Sequence, residues 1–429
     1  MISNFSEVEK SLKRCLKEKV SITAATVVGF LIAGTAAFGA ATNVSFTTTT
    51  SGQVTIKVDS DPATNVSEAT NFISVAQYEE LVESGDLSGL LTIKTNENGE
   101  TVFAGVSDNL GTVTAAATVN GAITLLKTDA DHSSIASSLD IEAVGVSGYI
   151  ATAMEAAGEG HTVTNDGAIT VGNYAVGMKA NAGATAVNNA GKTITVDGTN
   201  AVGMSDDIAA DKTTTLINKG TIDVTDGVGI KVEGAGKVNV EAGTIKVASG
   251  KTGIDIGTGS ATGTTTVTGG NIEVAGTGTG IYENGYTGKL IVDGTTFTLE
   301  DGTGIYATGN AELKDITITQ TSDGTGINYR GTTEKLILDR TTVNVADGTG
   351  IDISGNAELK DIAIILTDAT GGTGISYSGG TGEATASIST SDLDLSTNGE
   401  TGILAILSKH ADSKLDIETG SLTTGTGKT

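Results

Sequence analysis

The chain has one cysteine, no tryptophan and only 3% aromatic residues in a length of 429. The single thiol, Cys15, falls in an N-terminal segment read below as a leader, so disulfides play no part in the mature chain. An ordinary core of this length would carry more large rings. Thin stacked coils, each touching only its neighbours, can be filled instead with Ile, Val and Leu. Basic residues are scarce too: 25 Lys and Arg stand against 51 Asp and Glu, a net charge of −26. Only Arg330 and Arg340 lie beyond Arg14. Nucleic-acid binding needs a basic surface to neutralise phosphates, and the composition excludes it. The acidity fits a soluble, self-repelling exposed surface.

Glycine is abundant, at 60 residues, and threonine and serine accompany it. Such a composition also occurs in disordered tracts, but here hydrophobic residues reach 38% and recur at regular intervals. Ten times a glycine is followed at once by an apolar residue: at Gly177-Met178, Gly203-Met204, Gly229-Ile230, Gly253-Ile254, Gly280-Ile281, Gly304-Ile305, Gly326-Ile327, Gly350-Ile351, Gly374-Ile375 and Gly402-Ile403. The gaps are 26, 26, 24, 27, 24, 22, 24, 24 and 28 residues. A repeat of this size means a solenoid or a propeller.

One repeat, from Gly304 to Gly326, reads as three short strands and three corners. Gly304-Ile305-Tyr306-Ala307 is a strand, Thr308-Gly309-Asn310 a turn with positive φ, and Ala311-Glu312-Leu313 a second strand. Ile316-Thr317-Ile318-Thr319 alternates as a half-buried strand does, and Ser322-Asp323-Gly324 turns back. This is one rung of an all-β, right-handed parallel β-helix with 22–28 residues per coil. Ile305 should stack on Ile327, Ile351 and Ile375, because a charge there would be buried in every rung without a partner. The glycines of Gly302-Thr303-Gly304 suit a tight corner.

A longer echo is superimposed. Gly309-Asn310-Ala311-Glu312-Leu313-Lys314-Asp315-Ile316 recurs letter for letter from Gly355 to Ile362, and Lys289-Leu290-Ile291-Val292-Asp293 recurs as Lys335-Leu336-Ile337-Leu338-Asp339, both offset by 46. A propeller blade has a similar period, but two landmarks per unit and no Trp-Asp signature favour the β-helix. An earlier, irregular landmark is expected at Ala143-Val144-Gly145-Val146, followed by a helical turn over Ala151–Ala157. An eleventh coil should begin at Gly425-Thr426-Gly427, so the array is expected to continue past Thr429.

Residues 1–41 read as a signal peptide. Lys10, Lys13, Arg14, Lys17 and Lys19 precede an apolar stretch from Val20 to Phe38 that ends in small residues. Cleavage after Gly39 or Ala41 fits. Thr23, Thr26, Gly29 and Gly34 interrupt the stretch, which is short for a membrane span. The n-region is long and helix-patterned through Phe5, Val8, Leu12 and Leu16. Residues 42–142 read as an N-terminal cap with irregular early coils and one amphipathic helix over Ser74–Ser84; residues 143–429 are the regular rungs.

The extended leader, the glycine-isoleucine rungs and motifs such as Asn218-Lys219-Gly220-Thr221-Ile222 resemble the passenger domains of autotransporters, the type V secreted proteins of Gram-negative bacteria. The resemblance covers roughly residues 1–41 and 140–429. It implies export through the inner membrane, then an outer-membrane β-barrel, and a location at the cell surface or outside it. No segment of ten-residue alternating strands follows the repeats, so the barrel is expected from a longer gene or a second polypeptide. The implied role is a non-enzymatic adhesin or display stalk for a host or bacterial surface ligand, protein or glycan. The alternative is a β-helical polysaccharide-degrading enzyme using surface carboxylates.

For that alternative the candidates are Asp206-Asp207, Asp293 with Asp339, and Asp315 with Asp361. Their identical positions within the repeat explain the last two pairs without catalysis, and no residue is assigned a catalytic, cofactor or metal role. His132, His161 and His410 lack metal-ligand spacing. Gly253-Ile254-Asp255 does not repeat at the nine-residue interval of a calcium roll. Gly276-x-Gly278-x-Gly280 and Gly427-Lys428-Thr429 read as corner glycines rather than phosphate loops. The pairs Thr193/Thr195, Thr264/Thr266, Thr296/Thr298 and Thr317/Thr319 read as outward strand threonines rather than a flat ice-binding array. Binding is expected along the solenoid or in loops such as Ser205 to Lys212.

Overall fold

The computed structural model describes residues 123–128, 133–137, 140–148, 150–206, 212–233, 237–257, 263–285, 287–367 and 372–378. It also describes the strands Asn43–Thr48, Val54–Asp59, Leu91–Thr95, Thr101–Gly105, Thr385–Leu395, Thr401–Ala405 and Lys414–Thr424. The leader, the Ser74–Ser84 segment, His132, His410, Asp207 and the residues after Thr424 lie outside these ranges.

The described residues form a parallel β-solenoid. Each regular rung contributes three strands, as in Thr303–Ala307, Asn310–Lys314 and Thr317–Gln320. Strands of the first kind pair with one another from rung to rung, and so do those of the other two kinds, giving three faces around one core. On the first face Ile281, Ile305, Ile327, Ile351 and Ile375 are consecutive partners, and all five are buried. Met154, Met178 and Met204 continue the same column upstream. A second buried column runs Ile272, Phe297, Ile318, Val343 and Ile364 on the third face, and a third runs Val292, Leu313, Leu338 and Leu359 on the second.

The landmark glycines have a different reason from the one expected. Gly304 lies inside the strand Thr303–Ala307, not in a corner. Gly304 and Ile305 are both buried, so the inside-outside alternation slips by one residue there. A Cβ on Gly304 would sit 2.5 Å from the carbonyl oxygen of Gly326, and the same clash recurs between Gly326 and Gly350. The glycine is therefore fixed by the backbone of the adjacent rung.

Three local expectations are corrected. Ala151–Ala157 is a strand, not a helical turn, and Val176 and Met178 pair with Thr152 and Met154. Alanine favours helix, but a seven-residue stretch facing a ready-made strand gains more from the ladder than from propensity. Ala153 thus stands where later rungs carry glycine, while Ala143 pairs with Val171 on the third face, so Gly145 is not the earlier landmark. The third correction concerns the turn: Asn310 opens a strand, and the left-handed residue of that rung is Asp315, at φ 49°.

Where the second face bends into the third, three asparagines stack inside. Asn165 Nδ2 donates to Asn188 Oδ1 at 2.8 Å, and Asn188 Nδ2 donates to Asn218 Oδ1 at 2.8 Å. Asn218 Nδ2 ends the chain on the carbonyl oxygens of Ala242, 2.8 Å, and Thr244, 3.0 Å. All three side chains are buried. An Asn188→Ala variant should leave the Asn165 donor and the Asn218 acceptor unmatched, destabilising the fold by about 2 kcal/mol. Urea unfolding with an unchanged m-value would check this.

Candidate functional site

Over four rungs of the second face, outward side chains alternate in kind from one rung to the next. Asp293, Lys314, Asp339 and Lys360 form one column of consecutive partners; Ile291, Glu312, Ile337 and Glu358 form the next. Glu312 takes ion pairs from Lys289 and Lys314 together, and Lys335 Nζ reaches Glu358 at 2.5 Å. These lysines hold both carboxyls below their usual range. Like charges directly opposite on neighbouring strands repel. A charged residue at a fixed place in every rung would face a copy of itself about 4.8 Å away. Alternation over two rungs removes that conflict, and it has the same period as the 46-residue echo.

The repeat-matched aspartates fall into place on the same ground. Gly269, Gly294, Asp315, Arg340 and Asp361 occupy one corner in five successive rungs, with φ of 63°, 68°, 49°, 50° and 50°. Aspartate tolerates that left-handed backbone better than most side chains. Arg340 grips Asp315 with Nε to Oδ1 at 2.7 Å and Nη2 to Oδ2 at 2.8 Å, and its Nη1 reaches Asp339. Asp315 and Asp361 are therefore not brought together: Arg340 stands between them. Lys314 likewise separates Asp293 from Asp339.

The Arg340 fork lowers the Asp315 carboxyl below its ordinary value, chiefly by direct hydrogen bonding. A carboxyl lowered on folding stabilises above its unfolded value and loses that contribution as pH falls through the folded one. Arg340→Ala should move the Asp315 titration upward, toward the ordinary aspartate range. Carboxyl chemical shifts followed by NMR between about pH 2 and 6 would record it.

Asp206 belongs to the strand Thr193–Asp206 and is buried, its Oδ1 accepting from the Glu233 N–H at 2.6 Å. Ser205 precedes it in that strand, so the first two residues of the expected binding loop are extended; residues 207–211 lie outside the described residues, and Lys212 pairs with Glu159. His161 is half-buried, with Nδ1 3.0 Å from the Thr128 hydroxyl. Among the described residues no group of three His, Cys, Asp or Glu is placed to hold a metal ion. Gly276 is a corner glycine at φ 47°, whereas Gly280 lies within the strand Thr279–Glu283. Thr193/Thr195, Thr296/Thr298 and Thr317/Thr319 share the third face, but Thr264/Thr266 lies on the second and Asn344 follows Thr319 in register. A shallow groove of about 390 Å³ crosses the third face over Asp223, Lys246, Glu273 and Thr298. Its charges alternate as those of the second face do.

The first face carries the arrangement that the repeat positions signal but composition does not. Its outward column runs Lys231, Asp255, Tyr282, Tyr306, Asn328, Asp352. Tyr282 and Tyr306 stack with ring centroids 5.1 Å apart and planes inclined by 18°. Asn284 Nδ2 donates to the Tyr282 hydroxyl at 2.9 Å. On one side lies Asp255, its carboxyl raised chiefly by burial although Lys231 opposes the shift. On the other lies Asn328, then Asp352, ion-paired to Arg330. The Gly-Ile-Tyr triplets at Gly280 and Gly304, 24 residues apart, are the sequence signal for this pair.

No family model, curated protein or solved structure matches this chain. The described rungs offer a polar surface along the axis of the stack, with ion pairs on the second face and a stacked tyrosine pair on the first.

Proposed function

We propose that this chain is a secreted or cell-surface β-helical passenger, an adhesin or rigid display stalk that performs no catalysis. One observation carries the reading: the rung-to-rung register is unbroken from Met154 to Ile375 on the first face. A stack in which each rung contacts only its neighbours serves as a spacer of adjustable length. The leader-like residues 1–41, the net charge of −26 and the resemblance to autotransporter passengers support an exported location. The carboxylates best spaced for hydrolysis have ordinary structural employment: Asp315 and Asp339 in ion pairs, Asp206 under a backbone N–H. The expected partners are an outer-membrane export barrel and a surface ligand, protein or glycan.

The test uses cells carrying the native gene and an antibody raised against the solenoid. Labelling of intact cells, or recovery of the chain in the medium, is the expected result; a chain confined to the cytoplasm would overturn the proposal. Modularity is checked on the purified chain. Deleting residues 310–355, one 46-residue unit, joins Gly309 to Asn356 and preserves the charge alternation, so a shorter cooperative fold is expected. Deleting 314–338 instead places Asp293 against Asp339 and Glu312 against Glu358. That variant should lose about 1 kcal/mol relative to the first, recovered in high salt.

A further inference from the structure

We infer that the outer face of Tyr306, with Asn328, Arg330 and Asp352, forms a slot for one pyranose ring of a neutral glycan. The inference rests on the adhesin reading and names the class of ligand it would take. Each stacked tyrosine spends one ring face on the other, so the remaining face of Tyr306 turns toward the next rung, where the outward residue is Asn328. Asparagine is much shorter than tyrosine and carries no ring to stack on that face. The far wall is Asp352, held in place by Arg330. Tyr306 and Asp352 stand two rungs apart, about 9.6 Å along the axis. That separation accommodates one saccharide ring between a flat apolar wall and a polar one.

The chemistry of the walls selects the ligand. A sugar presents C–H bonds on one side for an aromatic face and hydroxyls around its rim for fixed donors and acceptors. Here the rim would meet the Asn328 side chain, which is half-buried, and the Arg330–Asp352 pair. Arg330 is already neutralised, and Asp255 and Asp352 flank the step within a chain of net charge −26. A polyanionic glycan would be repelled; a neutral one would not. The ion pair and the tyrosine stack also fix these groups beforehand, which lowers the ordering cost of binding.

The experiment is native affinity electrophoresis of the full chain in gels containing hydroxyethylcellulose, glucomannan, dextran or polygalacturonate. Retardation by at least one neutral polymer is expected, and none by polygalacturonate. Tyr306→Ala should weaken the apparent affinity about tenfold, and Tyr306→Phe by less than about twofold. Asn328→Ala provides a second, smaller truncation if Tyr306→Ala fails to fold, and Asn344→Ala on the third face should change nothing. The slot is overturned if no neutral polymer retards the chain, if only polygalacturonate does, or if neither Tyr306→Ala nor Asn328→Ala alters the retardation. A chain displayed on cells yet indifferent to all four polymers would sink the slot alone. A chain confined to the cytoplasm would sink the adhesin reading itself.

Discussion

An Ile327→Asp variant is expected to lose the continuous fold of the rod. Ile327 is completely buried, with Ile305 above it and Ile351 below in the same column. The substitution removes an apolar side chain whose truncation alone costs about 2–5 kcal/mol. It also places a carboxylate among isoleucines with no donor on the first face to receive it, which costs several kcal/mol more. The sum rivals the whole stability of an ordinary domain, about 5–15 kcal/mol. Because each rung depends only on its neighbours, the damage should split the rod rather than dissolve it at once. Two unfolding transitions in urea, with early proteolytic cleavage near residue 327, are expected in place of one. Ile327→Val, at about 1 kcal/mol, is the matched control. A single cooperative transition in the aspartate variant would refute the continuous isoleucine column.

This column is legible in the sequence because burial repeats with the rungs. The core position of the first face recurs at intervals of 22–28 residues as Met or Ile, and the observed pairing reproduces those intervals residue for residue. Alternation in strands such as Thr317–Gln320 is equally legible, since one face is dry and the other wet. Local backbone is harder. Ala151–Ala157 carries a helical composition, and the strands on either side of it, Ile123–Lys127 and Ala175–Asn181, hold it extended.

What involves two rungs at once is largely hidden. The asparagine stack joins Asn165, Asn188 and Asn218, but these precede their third-face isoleucines, Ile169, Ile194 and Ile222, by four, six and four residues. An irregular interval does not announce itself as a column. The 46-residue echo is visible, yet the placing of Lys314 between Asp293 and Asp339 appears only when strands are aligned side by side. Tyr282 and Tyr306 lie in matching triplets, but their stacking depends on register as well as spacing.

The glycines divide into two kinds, and substitution should separate them sharply. Gly326 sits in the strand Thr325–Tyr329, where a Cβ would lie 2.5 Å from the Gly350 carbonyl oxygen and 3.3 Å from Val343 Cγ1. The obstacle is backbone held by its own ladder, so it cannot turn aside as a side chain would. Gly326→Val should cost at least about 4 kcal/mol, above the usual range for overpacking, because rungs must separate to admit the side chain. Gly294 is the opposite case. Its φ is 68°, nothing lies within 4 Å of a Cβ placed there, and Asp315, Arg340 and Asp361 adopt similar angles at the same corner in the following rungs. Gly294→Asn should therefore change stability by less than about 1 kcal/mol, since the strain of a left-handed asparagine is offset by a less flexible unfolded chain. Thermal melts of the two variants side by side decide the matter. Comparable losses in both would mean that conformational freedom, rather than the carbonyl of the neighbouring rung, selects glycine along the first face.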